Sequence, residues 1–461
     1  MGLPAEVLDG LRVAVGDPHV RTAPGELAVY GRDATPLFAH QPDAVVFPAS
    51  ADEVAAVLRL ATAHRVPVVP RGAGSNLCAA TVPLTGGIVL VLTRMRKILE
   101  INKEELLARV EPGVTTAELA EAAAAHGLLF APDPGSRVTA TIGGNVATCA
   151  GGLRGLKYGV TRNYVLGTKA VLPTGEIIRT GGRLWKDVAG YDLTRLLTGS
   201  EGTLAVLTEL TLALLPAPAA SRTGVAYFST LADAGRAVGA VIAAGVVPAT
   251  LEFLDHRCIA AVEEFAQLGL RLDAGALLLY GDDGDPEVVE RHLARIGDAC
   301  RDAGAIEVTT ARDVAESEAL LAARRCSLPA LSRLGALTIL EDATVPRPRL
   351  AEMVERIEQI ATRHDVTIAT FGHAGDGNLH PTCVLPSAED TDAVRRAERA
   401  LADIFAAALE LGGTITGEHG VGAAKLPYLE DLLGPDQMAL LRRIKAAFDP
   451  AGILNPGKVG S

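Results

Sequence analysis

Three glycine-rich stretches interrupt the first two hundred residues of the chain, and they constrain its fold more than any other feature. Glycine tolerates positive φ and lets a second backbone or a ligand come close, so such stretches mark turns or walls rather than element interiors. The first, Pro70-Arg71-Gly72-Ala73-Gly74-Ser75-Asn76, follows a short apolar strand at 66–69, where backbone N–H groups can approach an anionic group such as a pyrophosphate. It lacks the G-x-G-x-x-G spacing of the nicotinamide-binding fold. The second runs Thr141-Ile142-Gly143-Gly144-Asn145-Val146-Ala147-Thr148-Cys149-Ala150-Gly151-Gly152, and the third leads from Gly190-Tyr191-Asp192-Leu193 to Gly199-Ser200-Glu201-Gly202-Thr203. Each alone reads equally well as a tight turn. Three in one domain, each ending in small polar donors, fit the walls of a long slot for a dinucleotide.

Between these stretches, short helices alternate with β-branched strands. Ser50 stands as an N-cap before Val54, Val57, Leu58 and Ala61 at helical spacing. Strands are predicted at 88–92 and 107–111, a helix at 116–125, a hairpin from 165 to 177 through Pro173-Thr174-Gly175, and a strand at 204–215 ending at Pro216 and Pro218. That proline pair marks a domain boundary, so residues 1–218 form the first domain. Beyond it come strand 224–228, helix 231–244, strand 249–254, strand 276–280, helix 286–303 and strand 306–310. This rhythm predicts a mainly antiparallel sheet with helices on one face, a ferredoxin-like cap spanning 219–425. A last helix at 436–448 and the tail Asn455-Pro456-Gly457-Lys458 have too little of their own to pack on, so 426–461 is expected to return to the first domain.

Within the cap, Phe371-Gly372-His373-Ala374-Gly375-Asp376-Gly377-Asn378-Leu379-His380 lies between apolar runs at 366–371 and 379–385. Paired as strands through the Asp376-Gly377-Asn378 turn, the two runs bring His373 and His380 near one another. A further short strand at 414–417 is expected to present Glu418 and His419. Two imidazoles and a carboxylate leave coordination positions open, as a catalytic divalent metal needs. A His-x₆-His spacing is no standard metal signature, and spacing alone favours a reading without a metal.

Composition excludes several classes. With 43 Lys and Arg against 55 Asp and Glu, the net charge of −12 and the lack of a basic run argue against nucleic acid as a partner. Glu6, Asp9 and Asp17 replace the cationic start of a secretory signal, and the longest apolar stretches fall short of the roughly 20 residues that span a bilayer. A cytoplasmic protein is expected, at most peripheral to the inner membrane face through a partner. The six cysteines form no C-x-x-C pair, so any iron–sulfur relay belongs to another chain. Trp185 reads as covering a core edge, and His64, His126 and His364 as residues at helix C-termini, where they interact with the helix dipole.

Arg71-Gly72-Ala73-Gly74, Pro132-Asp133-Pro134-Gly135-Ser136 with the stretch 141–152, and Gly199-Ser200-Glu201-Gly202-Thr203 resemble the FAD-binding domain of the vanillyl-alcohol oxidase type. The second half resembles the FAD-linked oxidase carboxy-terminal domain. Within that superfamily the chain is similar to the glycolate oxidase flavoprotein, D-lactate dehydrogenase and D-2-hydroxyglutarate dehydrogenase group. The resemblance implies an α+β protein: a vanillyl-alcohol oxidase-type FAD-binding domain, a ferredoxin-like substrate cap, and a C-terminal return to the FAD domain. It implies FAD contacts at Arg71, Gly72, Ala73, Gly74, Ser75, Asn76, Pro132, Asp133, Ser136, Thr141, Gly143, Gly144, Asn145, Thr148, Gly151, Gly152, Glu201, Val206 and Asn455. Relatives that tether FAD covalently carry histidine where Ser75 stands, so FAD is expected to be non-covalent.

The same resemblance implies that His373, His380 and Glu418 ligate a divalent metal, zinc or manganese, that His419 is the base, and that Arg324 binds the substrate carboxylate. Arg325 is the alternative if the register slips by one. The hydroxyglutarate enzymes carry a lysine where this chain reads Leu340-Glu341-Asp342, and an asparagine where Thr382 stands. A small 2-hydroxy acid of glycolate or D-lactate type is therefore the expected substrate. A separate electron acceptor, an iron–sulfur protein or a quinone, is expected too, and an oligomer is compatible. The rivals are an oxidase that uses oxygen and a non-catalytic flavin-binding subunit of an oxidase complex.

Overall fold

Ser50 accepts a hydrogen bond from the Glu53 N–H at 3.2 Å, while the Glu53 carboxylate accepts from the Ala49 N–H at 2.8 Å. This cap starts the helix Ala51–His64, whose Val54, Val57, Leu58 and Ala61 are fully buried. They pack on a sheet in which Ala44–Val46, Ile88–Val91 and Val68–Arg71 run parallel, with Val20–Arg21 antiparallel at one edge. The core between them closes with Ile453 and Leu454 from the far end of the chain. A second, antiparallel sheet has the spatial order Ile98–Asn102, Leu107–Val110, Val206–Ala213, Val165–Val171, Ile177–Gly181.

The computed structural model describes residues 2–461, which divide into two compact units. The first comprises residues up to Gly151, Val160–Ala217 and Glu418–Ser461; the second comprises Gly152–Gly159 and Pro218–Gly417. The second unit holds an antiparallel sheet in the order Glu307–Thr310, Ala220–Phe228, Ala276–Gly284, Thr250–Asp255, Ile368–His373, Asn378–Leu385, Leu337–Leu340. Ala343–Thr344 adds a short pairing to Asn378–Leu385. The helices Leu231–Ala243, Pro286–Asp302, Leu350–His364 and Thr391–Glu410 bury one face, where Val238, Ile296, Ile357 and Ile404 meet Phe253 and Leu278. The sheet is antiparallel, as the strand–helix alternation predicts; the strands flanking the histidine motif widen it, and the helix His256–Ala266 packs on Thr250–Asp255 and Ile368–His373 as well.

The second unit ends at Gly417, not at 425, and local bonding explains why. Asp342 accepts from Thr416 Oγ1 and from the Gly417 N–H, both at 2.8 Å, and Thr414 bridges Thr344. Residues 414–417 are consequently not the strand expected from their sequence: side-chain bonds to Asp342 take the place of a ladder. Past that point the bonds go to the first unit's own segments, with the N–H groups of Ala423 and Ala424 donating to the Cys78 carbonyl. The segment Gly152–Gly159 joins the second unit because Lys157 Nζ reaches Asp282 and Asp283 at 2.7 Å and Tyr158 donates to Asp283 at 2.6 Å.

Two smaller expectations are corrected. Trp185 is 60% exposed and covers no core edge, lying in a loop after Ile177–Gly181 whose Val188 and Tyr191 are exposed as well. His364 ends its helix, but its Nε2 lies 2.7 Å from Asp403, so a carboxylate rather than the helix dipole is its main partner. Among the described residues no helix is long and apolar enough to cross a membrane, and all six cysteines are free thiols.

Candidate active site

In the first unit the glycine stretches face one another at close quarters. A Cβ at Gly72 would overlap Thr141 Oγ1, and one at Gly74, where φ is +75°, would overlap the Arg71 guanidinium. A Cβ at Gly143 would come within 2.5 Å of the Pro112 Cβ. Side-chain-free backbone on two neighbouring segments is the cradle a pyrophosphate requires, so these residues fit FAD. The polar side chains around it are engaged with protein. Arg71 Nη1 donates to the Arg32 carbonyl at 2.6 Å, Asn145 Nδ2 to Thr116 Oγ1 at 2.6 Å, and Thr148 Oγ1 to the Gly144 carbonyl at 3.1 Å. Asp133 pairs with Arg137 at 3.2 Å, and Val206 is buried in the core. Burial pulls the Arg71 guanidinium below its ordinary value, with Asp33 opposing. Gly72, Gly74, Ser75, Asn76, Gly143 and Gly144 remain partly accessible, whereas Pro132 is buried and Ala73 and Ser136 are exposed.

The turn that carries Glu418 and His419 is fastened inside the first unit. Asn76 Nδ2 donates to the His419 carbonyl at 3.0 Å, and Cys78 Sγ to the Gly420 carbonyl at 3.2 Å. The Glu201 carboxylate accepts the N–H groups of Val421 at 2.6 Å and Gly422 at 2.7 Å. Burial raises the Glu201 carboxyl above its ordinary value, against the lowering effect of those two bonds. The Glu201 carboxylate thus holds the turn. Asn455, at φ +45°, donates to the carbonyls of Ala80 and Glu201 and ties the tail to the same knot. Gly151 is glycine because a Cβ would come within 2.6 Å of a Glu418 carboxylate oxygen, and Glu418 in turn lies 3.5 Å from His419 Nε2.

In the second unit, register places the histidines. Phe371 faces His380 and His373 faces Asn378 across the paired strands, so His373 and His380 are diagonal neighbours on one face. Their rings are 5.2 Å apart and perpendicular, and both are buried. Gly377 at φ +73° makes the turn between them. Each imidazole has a buried carboxylate at Nδ1: Glu252 Oε1 is 2.8 Å from His373, and Asp342 Oδ1 is 4.0 Å from His380. Since a carboxylate only accepts, His373 donates from Nδ1, which in the neutral ring puts the lone pair on Nε2. Two imidazoles so disposed fit a divalent metal.

Arg324, in the last turn of Val314–Arg325, is 5% exposed, whereas Arg325 is half-buried. Its Nη2 lies 2.8 Å from Glu252 Oε2, an ion pair rather than a directed hydrogen bond, and its guanidinium stacks 4.7 Å over the Phe371 ring. Nε has no hydrogen-bond acceptor among the described residues and Nη2 has only the Glu252 ion pair, which leaves donors for a substrate carboxylate. Glu252 was absent from the sequence expectations. Its signal was available: it is the one acid in the apolar run Leu251-Glu252-Phe253-Leu254.

The architecture is that of vanillyl-alcohol oxidase-type flavoproteins. Superposition on 4-ethylphenol oxidase from Gulosibacter chungangensis gives a TM-score of 0.84 at 22% identity, covering 99% of this chain and 98% of that one. p-Cresol methylhydroxylase gives 0.84 at 19% identity, covering 99% and 96%. Residues 42–181 match the FAD binding domain family, and 217–459 match the family described as FAD linked oxidases, C-terminal domain. The chain belongs to the FAD-linked oxidase family, and FAD is its cofactor. It is 51% identical over 431 residues to glycolate oxidase subunit GlcD of Bacillus subtilis, covering 94% of this chain and 92% of the relative. Identity to the Escherichia coli protein of the same name is 39%, covering 98% and 90%. D-lactate dehydrogenase of Anaerostipes hadrus is 37% identical, covering 97% and 94%.

Proposed function

We propose that this chain oxidises a small 2-hydroxy acid of glycolate or D-lactate type to the 2-oxo acid, with Arg324 binding the carboxylate and His419 taking the hydroxyl proton. The names of the relatives support the substrate class, and the buried group of His373, His380 and Arg324 is the observation that carries it. FAD, when bound, supplies the two-electron acceptor for the hydride from the hydroxyl-bearing carbon, and a divalent zinc or manganese ion, when bound, supplies the charge that acidifies the hydroxyl. His373 and His380 would hold that ion, with Glu418 as third ligand. The guanidinium fork of Arg324 orients the carboxylate by paired N–H donors. The imidazole of His419 accepts the hydroxyl proton. Hydroxyl proton and carbon-bound hydride leave together as a C=O bond forms, which balances the two-electron oxidation.

Two relatives are named as subunits, which supports a separate electron acceptor that reoxidises the flavin, an iron–sulfur protein or a quinone. The test is removal of metal by a chelator from the FAD-loaded protein, followed by return of zinc or manganese. Turnover should vanish and come back. Full turnover by protein shown to contain no metal contradicts the reading.

A further inference from the structure

Glu252 serves neither half of the reading above directly, yet it touches both. It lies on Thr250–Asp255, in the middle of the sheet, where Phe253 faces Gly372 and Leu254 faces Phe371; continuing that register sets Glu252 opposite His373. Leu251 and Phe253 point into the helix-covered core, so Glu252 points to the face that carries Phe371, His373 and His380. Its side chain is 1% exposed. A carboxylate buried that deeply is tolerated only when paired, and here one oxygen takes His373 Nδ1 at 2.8 Å while the other takes Arg324 Nη2 at 2.8 Å.

We infer that Glu252 is a positioning residue that fixes the His373 imidazole and the Arg324 guanidinium to one another, so that a single carboxylate sets both the metal ligand and the substrate carboxylate's partner. The inference rests on the reading of His373 as a metal ligand and Arg324 as the substrate arginine. On the His373 side, the hydrogen bond holds the ring in the tautomer whose Nε2 carries the lone pair and raises its basicity. On the Arg324 side, the ion pair holds the guanidinium plane over Phe371 and leaves Nε without an acceptor among the described residues. The closed circuit of Glu252, His373, His380, Phe371 and Arg324 is linked by ring separations of 5.2 and 5.3 Å, by the 4.7 Å stacking distance and by the two 2.8 Å contacts. A carboxamide cannot replace this carboxylate, because its one oxygen can accept from His373 or face Arg324 but not both, and its NH₂ repels whichever donor it meets.

The test compares Glu252→Gln and Glu252→Asp with the wild type, all FAD-loaded, stripped with chelator and titrated with zinc or manganese. Asp255→Asn is the control: that buried carboxylate, on the same strand, accepts the N–H groups of Cys258 at 2.8 Å and Thr370 at 2.6 Å. Glu252→Gln should weaken metal binding about 10- to 100-fold and raise KM for the 2-hydroxy acid at saturating metal, while flavin content stays at wild-type level. Glu252→Asp, which keeps the charge but retracts one contact, should fall between them, and Asp255→Asn should bind metal as the wild type does. If the wild type binds metal tightly and both Glu252 variants keep its metal affinity and its KM, this inference is overturned while the proposed function stands. Wild-type protein that turns over without taking up metal overturns the proposed function, and this inference with it.

Discussion

Replacing Glu201 with alanine should free the turn that bears His419 without emptying the flavin site. The carboxylate accepts two buried N–H groups, from Val421 and Gly422, at 2.6 and 2.7 Å. Hydrogen bonds to a charged group contribute about 1.5–3 kcal/mol each, so the pair is worth about 3–6 kcal/mol gross. Burial of the carboxylate, which raises its pKa, offsets part of this. The net local loss is about 2–4 kcal/mol, which corresponds to an opening equilibrium of the turn about 30- to 1000-fold larger. Amide hydrogen exchange reads it directly: Val421 and Gly422 should exchange faster by that factor in Glu201→Ala, while amides of the helix Ala51–His64 stay protected. FAD should remain bound and kcat should fall. Unchanged exchange at Val421 and Gly422 would show that the carboxylate does not hold the turn.

Three further outcomes are expected. Acid precipitation should release all of the FAD into the supernatant, since Ser75 offers no histidine for a covalent tether; flavin left on the pellet contradicts this. Arg324→Lys should raise KM for the 2-hydroxy acid at least tenfold with a smaller change in kcat, because an ammonium replaces the paired donors of a guanidinium; an unchanged KM would transfer the carboxylate to another residue. Burial lowers the Lys458 ammonium to about 8 from 10.5, against Asp33 and Glu201. Between those pH values the unfolded chain binds more protons than the folded one, so stability rises with pH across that window and the penalty, about 3 kcal/mol, is fully present below it. Lys458→Met should flatten this slope in thermal unfolding between pH 8 and 10.5, and a variant that keeps the slope refutes the assignment.

Local chemistry was the legible part of the sequence. Ser50 announces the helix Ala51–His64 as its N-cap, and the glycine loop after Val68–Arg71 announces itself by composition. The pairing of the two histidine strands followed from apolar runs on either side of a turn. Register did not: that His380 faces Phe371 rather than His373 depends on the Ala374–Asp376 turn. Glu252 stayed hidden because its partners are 72 and 121 residues away in sequence, at Arg324 and His373. Residues 414–417 look like a strand by pattern, but Asp342 spends its carboxylate on them, and no periodicity encodes that. The bonds from Glu201 to the Val421 and Gly422 N–H groups were likewise illegible, since a glutamate in a glycine loop reads the same whether or not its carboxylate meets backbone 220 residues away.

Substrate oxidation itself is the central claim, and the flavin's own colour reports it. Glycolate, D-lactate, L-lactate and larger 2-hydroxy acids are added one at a time, without oxygen, to the purified FAD-loaded protein. Glycolate or D-lactate should bleach the yellow absorbance within the dead time of manual mixing or soon after, with admission of oxygen restoring it slowly. A flavin that stays oxidised with every 2-hydroxy acid, in protein carrying its full complement of FAD and metal, would contradict the account.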